Sequence, residues 1–186
     1  SYVLPPLLSA FSERCPGVEL RLNEAHTARL KGELQEGTLD FVIDNCAFDP
    51  TVYESQLLKR EQVILAVPRS LPLSPQAAPF RLSAAQLTIK DAPRVPLPLF
   101  ADVPFLLLKE GNDTRARAEQ LCAQAGFTPH IRLQLDQQLA AYNLASYGLG
   151  AAFISDTLAL SAPPDERLVY YRIDSPNVER SIRLFY

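Results

Sequence analysis

The chain carries one pattern twice, and that echo limits what it can fold into. The first copy runs from Pro16 to Asn23 (PGVELRLN), on to Gly37 and then to Asp40–Asp44 (DFVID). The second runs from Pro129 to Asp136 (PHIRLQLD), on to Gly148 and then to Ala151–Ser155 (AAFIS). In both, a proline precedes an alternating apolar segment that ends in Asn or Asp. A helix-length stretch follows, then a glycine, then a short apolar strand that starts three residues later. Each copy predicts a β-α-β crossover. Two copies far apart predict two similar α/β lobes, and a cleft between lobes is where small ligands bind.

The rest of the chain fits that frame. Leu4, Leu7, Leu8 and Phe11 recur at helical spacing, which predicts a helix over 3–15 with Pro5 and Pro6 in its first turn. Its apolar stripe suits a core face or the surface of a partner protomer. Thr27 is placed to cap a second helix carrying Leu30 and Leu34, which Gly37 ends. Phe41–Ile43 and Val63–Val67 read as buried strands. Eight of the sixteen prolines fall between Pro68 and Pro104, a density that regular helix and central sheet do not accept. Only Ser83–Leu87 reads as helical there, with Ser83 as its cap. This segment is expected to cross between lobes. Beyond it come a continuous apolar strand at Phe105–Leu108, a helix with Ala118, Leu121, Cys122 and Ala125 on one stripe, and a crossover helix over 137–147. Strands at Val169–Ile173 and Ile182–Phe185 follow, the last returning to the first lobe. The expected division is therefore 1–68 plus 181–186 for lobe I and 69–180 for lobe II, with the proline-rich crossing at 68–104.

Composition excludes some functions. With 186 residues, 47% apolar and 21% charged, the chain has room for one domain or two small ones. No apolar run reaches the ~18–20 residues of a membrane span, so no membrane partner is expected. A net charge of −3 gives no overall basic footprint for nucleic acid. Cys15, Cys46 and Cys122 are odd in number and lack metal spacing, which predicts free thiols in a reducing compartment. There is no initiator methionine and no leader-like segment. The chain opens inside a helix and closes inside a strand, so the expectation is a fragment truncated at both ends.

Ligands of open α/β sheets gather at the carboxyl ends of the strands, and the echo nominates residues there. In lobe I they are His26, Thr27 and Asn45, beside Asp44. In lobe II they are Asn112, Thr114 and Arg115 at a helix start after a strand, then Asp136 and Gln137, then Ser155. Thr27 offers a hydroxyl and free helix amides to an anion, yet the same residue also serves as a simple N-cap. Asn112 to Arg115 likewise form an anion site with a guanidinium, or a cap beside a surface arginine. Asp136 caps the next helix, or faces the cleft and favours a ligand with donor or cationic groups. No nucleophile elbow, phosphate loop or metal-spaced cluster is present. Catalysis, a metal and a cofactor are therefore not expected. Gly148-Leu-Gly150 precedes a strand, unlike the dinucleotide fingerprint, and suits a tight helix-to-strand turn.

In order and spacing these segments resemble the effector-binding domain of LysR-type transcriptional regulators. The likeness rests on Tyr2–Pro5 through Phe11 and Val18, on Leu30, Leu34 and Glu36–Ile43 (EGTLDFVI), and on Leu57, Leu58, Glu61 and Val63–Pro68. Pro104–Leu108, Arg115, Ala125–Pro129 and Gly148–Ala151 complete it, so it covers nearly the whole chain. The resemblance implies a periplasmic-binding-protein type II fold, two Rossmann-like lobes joined by two crossing strands. It implies a cytoplasmic sensing module with a small-molecule inducer or co-repressor in the cleft, and assembly as a homodimer or homotetramer. DNA would be bound through an N-terminal winged helix-turn-helix that this sequence lacks. Thr27 matches a polar position that often contacts ligand in the family. Asp136 stands where members usually have a small or hydroxylated residue. The alternative is a solute-binding protein of a transport system with the same bilobal fold.

Overall fold

The computed structural model describes residues 2–186. The chain divides into two compact units: one runs to Arg60 and includes Ser181–Tyr186, and the other is Glu61–Arg180. Two strands belong partly to each, β2 (Ser55–Pro68) and β8 (Glu179–Phe185). The proline-rich stretch 69–104 lies wholly within the second unit, so the expectation that it crosses between lobes is corrected: β2 and β8 make the crossings.

In the first unit, α1 (Leu4–Arg14) forms on the expected apolar spacing, with prolines in its first turn where no intrahelical donor is needed. None of its residues is buried. α2 (Thr27–Gln35) ends at Gly37, whose φ of +73° suits glycine. The amides of Thr38 and Leu39 then turn back to the Glu33 carbonyl at 2.9 and 3.2 Å. β1 (Val42–Asp44) pairs antiparallel with β8, Val42 opposite Phe185. Around that pair sits a small core of Val42, Phe48 and Phe185, on which Leu30, Leu34, Leu39 and Tyr53 pack. The rings of Phe48 and Phe185 stack with centroids 4.0 Å apart. Phe41, expected in the strand, lies just before it and is exposed.

The strand expected at Val18–Leu22 does not form. Its residues alternate as a strand should, and Glu19 and Arg21 pair side by side at 3.1 Å. Yet no ladder joins them to another strand, and Leu22 is 71% exposed. Alternation prepares a strand, but a neighbour must supply its hydrogen bonds. The first copy of the echo is therefore not a complete crossover.

The second copy is complete. In the second unit the sheet runs β3-β7-β2-β6-β4-β5, with β3 (Arg94–Val95), β4 (Pro104–Leu108), β5 (His130–Leu135), β6 (Ala151–Ser155) and β7 (Leu168–Ile173). β5, β4 and β6 are mutually parallel, and β2 runs antiparallel to β6 and to β7. α3 (Asp113–Gln124) joins β4 to β5, and α4 (Gln138–Ser146) joins β5 to β6 across β4. α5 (Asp156–Ser161) follows β6 directly. The apolar runs Val63–Val67 and Phe105–Leu108 are fully buried, as strands covered on both faces should be. Phe105, Phe153, Leu121, Tyr171 and Phe100 fill the core between them.

The proline-rich stretch helps build that core. Its prolines fit short 3₁₀ turns at Pro75–Phe80 and Leu97–Phe100, which need few internal donors, and a third, proline-free turn lies at Ala85–Thr88. Between them Ala77, Leu82, Leu87, Val95, Leu97 and Phe100 are buried. The helical turn expected at Ser83 starts with Ala84 as its cap, while the Ser83 amide and hydroxyl donate to the Gln86 side chain at 2.8 and 3.1 Å. Arg172 of β7 holds the next turn, donating to the carbonyls of Leu87, Ile89 and Lys90 at 2.6 to 3.1 Å.

Candidate functional site

At the C-terminal tip of β1 the first unit gathers Thr27, Asp44, Asn45 and Cys46. The Asp44 carboxylate accepts from the Asn45 and Cys46 amides at 2.6 and 2.9 Å, and so closes the turn that ends the strand. Its other oxygen accepts the Thr27 hydroxyl at 2.7 Å. Thr27 also lies 3.6 Å from the Cys46 sulfur. The helix cap is His26, one residue earlier than expected. It acts through its carbonyl, which accepts the Arg29 and Leu30 amides, while its imidazole makes no capping bond. Thr27 is therefore the first helical residue. Its hydroxyl proton is committed to Asp44, leaving its oxygen as an acceptor beside the first amides of α2, which no helical carbonyl can satisfy. The first unit also has a shallow depression of about 360 Å³ lined by Leu34, Gln35, Leu39, Asp40, Val52, Tyr53 and Tyr186. It lies at the opposite end of α2 from Thr27, about 12 Å along the axis at 1.5 Å per residue.

In the second unit the tips of β4 and β6 carry a connected polar network. Asn112 caps α3, its side-chain oxygen accepting the Thr114 amide at 2.9 Å. The Thr114 hydroxyl oxygen accepts from Gln138 Nε2 at 2.6 Å and from Arg180 Nη1 at 2.9 Å. Gln138 Oε1 accepts the Ser155 amide at 3.0 Å. Arg180 Nε reaches Glu61 at 2.6 Å, with side chains only 6% and 4% exposed. Asp113 stands 3.5 Å from the same guanidinium. Asp156 accepts the amides of Gln62 and Thr157 at 3.0 and 2.8 Å.

Several expected roles change. Arg115 is buried and turned inward: it donates to the Leu108 carbonyl at 2.9 Å and pairs with Glu119 at 2.8 Å. A ligand anion cannot recruit it without breaking the β4–α3 turn, so the guanidinium at this tip is that of Arg180. Asp136 does not cap α4, whose cap is Gln137 through its backbone. It pairs instead with Lys109 at 2.9 Å, with side chains 76% and 57% exposed. That partner offsets the charge on which the argument against an anionic ligand rested. Gln137 is exposed. Ser155 caps α5, its hydroxyl accepting the Leu158 amide at 3.2 Å. Among the described residues no group of His, Cys, Asp or Glu is placed to hold a metal ion. No helix there is long and apolar enough to cross a membrane.

Sequence reasoning missed Glu61, Gln138 and Arg180 at this tip. A signal existed for two of them. Glu61 stands at the mouth of the apolar run Val63–Val67, and Arg180 precedes the strand Ile182–Phe185. A charge entering a buried strand needs a partner of opposite sign.

Comparison with known proteins agrees with this architecture. Residues 1–186 match the family described as LysR substrate binding domain. A probable hydrogen peroxide-inducible genes activator of Mycobacterium avium is 30% identical over 186 residues, which is 100% of this chain and 55% of that protein. The uncharacterized HTH-type transcriptional regulator YcgK of Bacillus subtilis (strain 168) is 29% identical over 176 residues, 94% of this chain and 54% of that protein. The chain thus spans about half the length of the curated relatives it matches. Among solved structures, the CcmR regulatory domain of Synechocystis PCC6803 in complex with 2-PG superposes with a TM-score of 0.79 at 19% identity, covering 100% of this chain and 81% of that one. The BenM effector binding domain with its effector benzoate gives 0.72 at 20% identity, covering 98% and 76%.

Proposed function

Since the chain belongs to the LysR substrate binding domain family, we propose that it is the effector-sensing module of a bacterial transcriptional regulator. The observation that carries this reading is the family match over the entire chain. The strand-tip chemistry supports it. A threonine stands at the start of a helix in each unit: Thr27 is partly exposed and bonded to Asp44, while Thr114 is buried and anchors the tip through Gln138 and Arg180. Such groups bind and orient a small polar molecule, and nothing in them activates a nucleophile.

The effector controls the protein by population shift. It moves an equilibrium between arrangements only by its differential affinity for them, and a swing from 1:99 to 99:1 needs ~10⁴-fold preference. DNA is contacted by a helix-turn-helix domain elsewhere in the full-length regulator, which works in the cytoplasm. The module pairs as a homodimer. Unburied α1, with Leu7 and Phe11 exposed, and the outlying segment Val18, Leu20 and Leu22 supply apolar surface of the kind a partner covers.

The names of the peroxide-inducible relatives raise a second reading, sensing by a reactive thiol. The second unit has a single cysteine, Cys122, buried in α3. Burial, with Glu119 nearby, pushes its thiol up to about 12, and a thiol without thiolate is not a peroxide sensor. Cys15 and Cys46 of the first unit are only partly buried and escape that objection, so effector binding is preferred on the family match over the whole chain.

The test is a thermal-shift panel of small carboxylates, amino acids and aromatic acids. A ligand at 100 times its Kd adds about 2.7 kcal/mol, or about 5–11 °C in Tm for a chain of this size. Thr27→Val and Thr114→Val should reduce the shift of any hit. No shift from any compound, with the fold intact, would overturn the reading.

A further inference from the structure

The network at the second unit's strand tips joins more elements than capping requires. We infer that Thr114 is a positioning residue: its hydroxyl oxygen is the junction that ties α4 and β6 to the two strands entering this unit. On one side it accepts from Gln138, whose carbonyl oxygen in turn holds the Ser155 amide at the tip of β6. On the other side it accepts from Arg180, whose Nε is fixed on Glu61. Glu61 and Arg180 are the residues at which β2 and β8 enter the unit. One oxygen, 3% exposed with its residue, therefore connects four elements through four polar side chains or amides.

The chemistry makes this junction sensitive to one atom. Gln138 Nε2 and Arg180 Nη1 are both donors, so neither can replace Thr114 as partner for the other. Without the threonine oxygen, Arg180 Nη1 keeps only the long contact to Asp113 at 3.5 Å, Gln138 Nε2 faces it without an acceptor in a nearly dry site, and one of the two must move. If Gln138 moves, the Ser155 amide loses its acceptor. If Arg180 moves, the buried Glu61 carboxylate loses its cation. A contact on the α3 tip is thus transmitted to both strands. The functional weight of this relay rests on the effector reading, because the effector is what touches the tip. Its existence does not.

The experiment uses the ligand-free 186-residue chain labelled with ¹⁵N, so its outcome is separable from the thermal-shift panel. Thr114→Val removes the oxygen at nearly constant volume. The Ser155 amide is expected to exchange about five- to tenfold faster, as for loss of one hydrogen bond, and the Arg180 Nε–H resonance to shift. Thr114→Ser, which keeps the oxygen, is expected to restore both signals. Arg180→Lys, which loses the fork that reaches Glu61 and Thr114 together, is expected to speed Ser155 exchange from the far side of the junction. If Thr114→Val does not fold, the Arg180→Lys measurement decides alone. Exchange at Ser155 unchanged in Thr114→Val, or unchanged in Arg180→Lys, or a Thr114→Ser chain that behaves like the valine one, would overturn the relay.

Discussion

Substituting Gly150 should damage the second unit more than any other glycine change. Its φ is +156°, a conformation that is costly for residues with a Cβ. A Cβ built there meets the Pro104 carbonyl oxygen at 2.7 Å and two Leu106 side-chain atoms at 3.3 Å. The oxygen belongs to the backbone of β4, which is hydrogen-bonded between β5 and β6, so it cannot swing aside. Backbone strain of ~1–2 kcal/mol and overpacking of ~1–3 kcal/mol give about 2–5 kcal/mol for Gly150→Ala. Gly148→Ala is the internal control. Its φ is +84°, and the nearest atom is the Ser70 hydroxyl at 3.2 Å, which can rotate, so only the strain of ~1–2 kcal/mol applies. The chain has no tryptophan, and the buried Tyr170 and Tyr171 provide a near-ultraviolet circular dichroism signal for urea unfolding. Gly150→Ala should lower Tm by roughly 4–20 °C, at ~2–4 °C per kcal/mol for a chain of this size, and Gly148→Ala by about half as much. Equal losses in the two variants would show that close approach of β4 does not decide the choice of glycine.

Three further outcomes follow from named groups. Because the Cys122 thiol is pushed up to about 12, only about one molecule in ten thousand is thiolate at pH 8; a disulfide reagent should titrate it only after unfolding, and rapid reaction in the native protein would contradict the burial argument. Arg167, donating at 2.6 and 2.9 Å, holds the Asp165 carboxylate down to about 2. Its stabilisation is therefore present above the unfolded value near ~3.9 and lost as pH falls toward about 2. Asp165→Asn should lower Tm at pH 7 by an amount that shrinks between pH 4 and pH 2, and a pH-independent difference would refute that cause. Asp136→Asn removes an exposed ion pair and should change unfolding free energy by under ~0.5 kcal/mol; a larger loss in urea titration would mean that Lys109 is held for more than solvation.

The parts of the fold legible in sequence are those set by local pattern. The helical stripes of α1 and α3, the apolar runs Val63–Val67 and Phe105–Leu108, and the glycines after α2, α3 and α4 each carry their own signal within a few residues. The Val18–Leu22 strand failed because alternation says nothing about whether a partner lies alongside. The proline-rich stretch was read correctly as irregular but misplaced as a crossing, since burial of Leu87, Val95 and Phe100 depends on β7 far along the chain. At the site, helix starts were visible and pointed to Thr27, Asn112 and Thr114. The direction of Arg115 was not, because a buried guanidinium and a ligand-binding one follow the same strand-to-helix pattern. Gln138, Glu61 and Arg180 meet only through sequence separations of 42 to 119 residues, which no local rule reaches.

Arg172 grips the turn after Leu87 by three main-chain oxygens. Every amino acid supplies that oxygen, so the clamp is indifferent to which side chains occupy 88–90. A library randomised over those three positions should keep its fold as long as the arginine stays, whereas a single change at Arg172 would release them all together. Freedom to vary in one place is thus underwritten by constancy at another, eighty-odd residues away.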